Sequence, residues 1–200
     1  HYLFSHDSPP AYLLMFNFLK VRHGFSLISH DSPPAYLLMF NFCPYCGNKI
    51  SKQDKNGFQC PNCKKWTHYA STPAVSIALK VGDEGLVAVR GRDPGKGMHD
   101  LVGGFLEYGE GPLDAAVREF KEETWVEIDK NKLVFLGMWV DNYHYQDFTQ
   151  LILNIVYLIE LPKKPAVVGA DDVVDLIWLP LSEKPDFAFG YLHEAWKKIC

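Results

Sequence analysis

A group of acidic residues near position 120 has the spacing that a divalent-cation site requires. Glu119, Glu122 and Glu123 stand at positions i, i+3 and i+4, so on a helix they share one face. Carboxylates that crowd together repel one another and raise each other's pKa unless a cation lies among them. Hard oxygen ligands of this kind suit Mg²⁺ or Mn²⁺. A solvated acidic helix face is the alternative interpretation of the same residues.

Three further residues precede this group at fixed distances. Gly104 is followed after five residues by Glu110, and after seven more by Arg118. An arginine can hold a carboxylate by a bidentate contact, and we expect its partner to be Glu110 or Glu119. Gly111-Pro112 predicts the start of the helix, because proline is tolerated at the first helical position. The spacing predicts an apolar stripe on that helix: Leu113, Ala116, Val117, Phe120 and Thr124.

The stretch resembles the Nudix box, G-x5-E-x7-R-E-U-x-E-E-x-G-U, in which U is a bulky apolar residue. Its fixed glycine and polar positions are matched by Gly104, Glu110, Arg118, Glu119, Glu122 and Glu123. One position departs from the pattern, because Trp125 stands where the family carries glycine. A left-handed helix end is easy only for glycine, so we expect Trp125 either to strain that end or to end the helix differently over an apolar patch.

The resemblance implies hydrolysis of a nucleoside diphosphate linked to another moiety. It implies that Glu119, Glu122 and Glu123 hold Mg²⁺ or Mn²⁺, and that Glu122 or a loop carboxylate, for which Asp171 and Asp172 are candidates, accepts a proton from water. Arg90 and Arg92 are candidates for phosphate contacts, although surface arginines often have no such role. Tyr143, Tyr145 and Phe148 are candidates for stacking on the base, and cross-strand packing explains them equally well.

Four cysteines form two C-x-x-C pairs, Cys43/Cys46 and Cys60/Cys63. Such paired turns bring four thiolates to one metal, so the spacing favours a structural Zn²⁺. Two disulfides are the alternative, which suits a secreted protein. We expect Cys200 to be a free thiol.

The composition of the 200 residues fits one mid-sized domain with a small appendage. The net charge of −4 gives no global basic field, so we expect nucleic acid to be an improbable partner. No apolar run has the roughly 18 residues that a membrane helix needs, and no segment resembles a signal peptide. We therefore expect a cytoplasmic protein without a membrane partner.

A perfect repeat occupies the start of the chain. Residues 5–18 and 29–42 both read SHDSPPAYLLMFNF, which indicates either a tandem duplication or an artefact. We expect residues 1–38 to be a dispensable extension, residues 39–70 to form a zinc ribbon and residues 71–200 to form the Nudix domain. Five lysines in the ribbon segment leave room for a different interpretation, a non-catalytic module that senses nucleotides or binds nucleic acid. They are Lys49, Lys52, Lys55, Lys64 and Lys65.

Alternation and β-branched content predict the elements that must carry the site. The expected strands cover residues 73–79, 85–90, 133–140, 151–161 and 173–179, and a closing helix covers residues 187–199. One helix between strands and one at the end imply an α/β fold, a mixed sheet between helices. This order is similar to the Nudix α/β/α sandwich.

A zinc ribbon directly before a Nudix domain resembles the arrangement in Nudix hydrolases of the ADP-ribose and NADH pyrophosphatase types. The S-Q-P-W motif of the NADH type has no counterpart in MWVDNYHYQDFTQ, residues 138–150, which weakens NADH as the dedicated substrate. The resemblance as a whole implies an ADP-ribose-like or dinucleotide substrate. We expect a nucleotide-derived small molecule as partner, and a homodimer is a further expectation.

Overall fold

The computed structural model describes residues 40–145, 148–169 and 173–200. Within them, the chain forms a small cysteine-rich hairpin followed by one mixed sheet with a helix on each face. The hairpin strands are β1 (Gly57–Gln59) and β2 (Trp66–His68). The expected extension at residues 1–38 lies outside the described residues.

The sheet contains seven strands in the described part of the chain. They are β3 (Thr72–Val81), β4 (Glu84–Arg90), β5 (His99–Asp100), β6 (Val102–Phe105), β7 (Val134–Tyr145), β8 (Phe148–Glu160) and β9 (Val173–Pro180). Strands β3 and β8 pair in parallel at the centre, whereas the other pairings are antiparallel. The predicted mixed sheet is confirmed.

Two helices cover the two faces of the sheet. Helix α1 (Pro112–Thr124) and helix α2 (Gly190–Lys197) flank it, and a short 3₁₀ helix (Lys130–Lys132) follows α1. Successive strand residues point to opposite faces, so Val75 and Ile77 pack with α1 while Ala78 packs with α2. The architecture is therefore the expected α/β/α sandwich.

Helix α1 begins at Pro112 and ends in a left-handed conformation. Trp125 caps it with φ 60° and ψ 15°, and its N–H donates to the carbonyl of Lys121. The alternative ending over an apolar patch is wrong, because the Trp125 side chain is 73% exposed. The expected apolar stripe is also partly wrong, because Leu113 is exposed and Ala115 is fully buried in its place.

Among the described residues, no helix combines the length and apolar character that a membrane crossing requires.

Candidate active site and cysteine cluster

Helix α1 and strand β6 bring the box residues together. Arg118 lies at the centre: its Nε and Nη2 donate to the two carboxylate oxygens of Glu110 over 2.9 and 2.8 Å. Its Nη1 donates to Glu119 at 2.7 Å and to Glu122 at 3.1 Å, and Nη2 also donates to the carbonyl of Phe105. One guanidinium thus fixes three carboxylates relative to the end of β6.

These contacts shift the pKa values of the charged partners. The hydrogen bond from Arg118 is the main reason that the pKa of Glu110 lies below its usual range, and the Glu110 contact raises the pKa of Arg118. Burial raises the pKa of Glu119, and the charge of Arg118 opposes that rise. Glu119 is therefore partly desolvated and close to two other carboxylates, the situation that a bound cation relieves.

Glu123 and Gly104 meet on the strand side of the site. The Glu123 carboxylate is buried and accepts a hydrogen bond from the backbone N–H of Gly103 at 3.0 Å. A Cβ at Gly104 would lie 2.6 Å from the carboxylate of Glu119. A side chain at position 104 would therefore displace this carboxylate, which packs directly against the strand backbone.

The box carboxylates line one end of a cavity of about 400 Å³. Its opposite wall lies on the α2 side of the sheet, where Tyr143 stacks on Phe189 with ring centroids 5.8 Å apart and planes 27° apart. Phe189 also stacks on the buried ring of Tyr191, 6.2 Å away. Carboxylates at one end and aromatic rings at the other can bind a ligand with a charged centre and a flat ring.

Three of the four predicted substrate-binding residues line the cavity. Arg90, Arg92 and Tyr143 line the cavity, whereas Tyr145 does not. Arg90 pairs with Asp100, donates to the carbonyl of Pro94 at 2.6 Å and lies over the ring of Phe189 at 4.9 Å. Much of its hydrogen-bonding capacity is therefore used within the protein. Asp171, Asp172 and the side chain of Phe148 lie outside the described residues.

Sequence reasoning missed several polar or aromatic residues that line the cavity, among them Asp100, Asn154, Phe189 and Tyr191. Burial raises the pKa of Asp100 while the neighbouring Arg90 charge lowers it, and burial raises the pKa of Tyr191 well above its usual value. The Tyr191 hydroxyl bonds to that of Ser76 at 3.1 Å. In the sequence, Asn154 can be recognised as a candidate because it is a polar residue inside the apolar run of β8.

The four paired cysteines converge on one point. Their Sγ atoms all lie within 4.8 Å of one another, and Cys43–Cys63 and Cys46–Cys60 are 3.7 Å apart. A Zn²⁺ with four sulfurs at about 2.3 Å places them about 3.8 Å apart, whereas a disulfide needs about 2.0 Å. The geometry fits the metal and not two disulfides, and all five cysteines are free.

Both cysteine turns have the same backbone pattern. In the first turn, the Gly47 N–H donates to the backbone carbonyl of Cys43. In the second turn, the Lys64 N–H donates to the backbone carbonyl of Cys60. Gly47 and Lys64 both have positive φ, 70° and 61°. The backbone N–H of Asn48 is the main reason that the pKa of Cys46 lies below its usual value, at about 6.

Residues 70–193 match the family model described as NUDIX domain. The match covers more than half of the chain, so the protein belongs to the Nudix family.

Relatives of known name and solved structures agree with this assignment. The chain is 29% identical over 146 residues to the NAD-capped RNA hydrolase NudC of Pseudomonas aeruginosa (strain LESB58), which covers 72% of this chain and 49% of that protein. NudC of Haemophilus influenzae (strain PittGG) is 35% identical over 89 residues, 43% of this chain and 34% of that protein. The chain thus spans about half the length or less of these relatives.

The solved structures share the fold at low identity. A MutT NUDIX hydrolase from Burkholderia pseudomallei has a TM-score of 0.56 and 22% identity, covering 66% of this chain and 100% of that chain. A NUDIX hydrolase from Nitrosomonas europaea has a TM-score of 0.57 and 19% identity, covering 79% and 89%. The NUDIX domain of Shewanella oneidensis NrtR, solved with ADP ribose, has a TM-score of 0.53 and 20% identity, covering 66% and 89%.

Proposed function

We propose that the protein hydrolyses the pyrophosphate bond of a nucleoside diphosphate linked to another moiety, with divalent cations held by Glu119, Glu122 and Glu123. The observation that carries this proposal is the Arg118-centred group of carboxylates at one end of a cavity whose other end is aromatic. When bound, Mg²⁺ or Mn²⁺ neutralises phosphate charge and makes water more acidic. A pyrophosphate with an attached base or sugar matches both ends of the cavity.

Different residues contribute to different parts of the proposed reaction. Arg118 holds the carboxylates in register, and Gly103 N–H fixes the orientation of Glu123. The water oxygen forms a bond to one phosphorus, the bridging P–O bond breaks, and a proton of the water passes to a carboxylate. Glu122 suits this last task because its side chain is half exposed and its contact with Arg118 is the longest of the three. Arg92 and Tyr143 line the cavity where a phosphate and a ring would lie.

The substrate class we propose is ADP-ribose-like or dinucleotide. Relatives that are about 30% identical to this chain over the matched residues are named NAD-capped RNA hydrolases, so NAD and an NAD-capped RNA belong in the test. The net charge of −4 argues against nucleic acid, so we propose a small nucleotide-derived substrate. A cytoplasmic site of action and a homodimer are two further proposals.

A panel of substrates tests this function. ADP-ribose, NADH, a nucleoside triphosphate and an NAD-capped RNA are incubated with the protein in Mg²⁺, Mn²⁺ or EDTA, and the phosphate-containing products are identified by mass spectrometry. We expect cleavage between the two phosphorus atoms of ADP-ribose or NADH, abolished by EDTA. Absence of metal-dependent cleavage of every compound contradicts the proposal. Light scattering tests the proposed homodimer, and cell fractionation tests the proposed cytoplasmic location.

The cysteine cluster supports a structural Zn²⁺ bound by Cys43, Cys46, Cys60 and Cys63 as a second proposed cofactor.

The same ribbon supports the second candidate function, a nucleic-acid-binding module. Trp66 is half exposed and stacks on His68 at 5.8 Å, and Lys65 lies over the ring of Tyr45 at 4.8 Å. Exposed rings beside lysines are typical of single-strand binding surfaces. An electrophoretic shift assay with RNA distinguishes this function from the first.

A further inference from the structure

Asn154 is a buried polar side chain without a hydrogen-bond partner among the described residues. It lies in the middle of β8, it is 6% exposed, and among the described residues nothing hydrogen-bonds to its side-chain amide. Its neighbours two residues away on the same face, Ile152 and Val156, are both buried apolar residues. The pattern of the strand therefore calls for an apolar residue at this position.

The amide of Asn154 faces the cavity and is not sealed inside the core. Among the described residues, the side-chain polar atoms that are both sealed and unpartnered belong to Thr67 and His99 only. Asn154 lines the cavity instead, between Ala74 on β3 and Trp139 on β7. The small side chain of Ala74 leaves room beside the amide.

An amide that opens onto a cavity can hydrogen-bond to a bound ligand in place of water. Its surroundings indicate which kind of ligand. The cavity wall that contains Asn154 also contains the stacked rings of Tyr143 and Phe189, which suit a flat aromatic ligand. The hydroxyls of Ser76 and Tyr191 bond to each other, whereas the amide of Asn154 is an open polar group on this part of the wall.

We infer that Asn154 is a specificity-determining residue, whose amide pairs with an aromatic heterocycle that presents a hydrogen-bond donor next to an acceptor. A carboxamide side chain has a donor and an acceptor side by side, so it matches the amino group and ring nitrogen of adenine. The carboxamide of a nicotinamide ring offers the same pair of groups. This inference rests on the proposed function for the class of ligand, a nucleotide, and adds which part of it is recognised.

Product-type ligands test the inference without any turnover. Isothermal titration calorimetry in EDTA compares AMP with purine riboside monophosphate, which lacks the amino group, and nicotinamide mononucleotide with nicotinate mononucleotide. We expect the intact protein to prefer AMP over the purine compound, or the nicotinamide over the nicotinate compound, by about tenfold or more. The pair that is discriminated identifies the ring that Asn154 contacts.

Two variants and one control assign this preference to Asn154. Asn154→Leu and Asn154→Ala should bring the ratio of the two affinities to about one, and Asn154→Leu should melt no lower than the parent protein, because leucine continues the apolar pattern of Ile152 and Val156. Ile152→Val, on the same wall, should weaken both members of a pair equally. Equal affinities in the intact protein, or a preference that survives both Asn154 variants, overturns the inference. Because no hydrolysis is measured, failure of the proposed function has no effect on this readout.

Discussion

Arg118 is the residue on which the geometry of the box carboxylates depends. Its guanidinium contacts Glu110, Glu119 and Glu122 as well as the carbonyl of Phe105. The sequence predicts one of these partners at a time, because spacing alone does not show that a planar group with five donors can serve several acceptors together. The structure shows that the same arginine links the loop before α1, two helical turns and the end of β6.

Asn154 and Trp125 show where reasoning from single residues fails. Asn154 is an isolated asparagine in an apolar strand, and its position on the cavity wall follows from the pairing of β8 with β3 and β7. Trp125 adopts a left-handed backbone in spite of its Cβ, because the αL hydrogen bond to Lys121 ends the helix in the same way that glycine would. Neither outcome depends on local sequence alone.

Replacement of Trp125 by glycine should stabilise the protein. A non-glycine residue with φ 60° costs about 1 kcal/mol, and the exposed indole offsets little of that cost. We expect Trp125→Gly to raise the melting temperature by about 2–4 °C, measured by differential scanning calorimetry. Trp125→Ala keeps the Cβ and is the control, which should show no such gain. A lower melting temperature for the glycine variant means that the indole makes a stabilising contact.

The strands and helices separate into those that periodicity predicts and those that it does not. The predicted strand at residues 151–161 is observed as Phe148–Glu160, and the predicted closing helix at 187–199 as Gly190–Lys197. Strand β6 is not predicted, because its sequence VGGF contains two glycines, which are rare in strands. These glycines are explained only by the fold, because Gly103 lies against the backbone of Val75 and Gly104 against the carboxylate of Glu119.

The close approach of helix α1 to β6 at Gly104 gives the next prediction. Gly104→Ala places a methyl group 2.6 Å from the carboxylate of Glu119, so the carboxylate must move. A displacement of about 1 Å at a reacting centre can lower turnover by about 100-fold. We expect kcat to fall by about tenfold to 100-fold with a small change in melting temperature. Gly111→Ala is the control, because its added methyl group makes only an ordinary contact with Asp114; equal turnover in the two variants contradicts this account.

At the scale of the molecule, the ribbon and the sheet have separate cores. The ribbon core consists of Cys43, Ile50, Phe58 and Cys60, with Phe40, Cys63 and Tyr69 against it. Four side chains are too few to hold a fold without the metal. The cysteine spacing predicts the convergence of the four thiols, whereas the cavity between the sheet and its helices depends on contacts between residues far apart in the chain.

Removal of Zn²⁺ should therefore unfold the ribbon and leave the sheet intact. In the native protein we expect one reactive thiol, Cys200, and about five after treatment with a strong chelator, counted with Ellman's reagent. Hydrogen exchange should then lose protection at residues 43–68 and keep it in β3 and β8. A Cys200→Ser variant should have no reactive thiol before chelation. Five reactive thiols and no zinc in the untreated protein contradict the metal assignment.

The duplicated segment gives a prediction for the whole chain. A protein that starts at Met39 keeps Phe40, which packs on Phe58 and Tyr69, and loses the first copy of the repeat together with residues 29–38 of the second copy. We expect this protein to fold, to keep its zinc and to retain full turnover, as measured by calorimetry and by the substrate panel. Insolubility or loss of most activity means that residues 1–38 contribute to the structure or bind a partner.

The most direct test of the central claim measures turnover in glutamine variants of the box. Glu122→Gln and Glu123→Gln keep the size of the side chain and remove its charge, and each should lower kcat by about two to four orders of magnitude. Glu127→Gln is the matched control, because Glu127 is an exposed acid just after the helix and pairs with Lys121. It should turn over ADP-ribose or NADH at the parent rate. A Glu123→Gln protein with unchanged kcat and unchanged Mg²⁺ dependence on all tested substrates contradicts the proposed function.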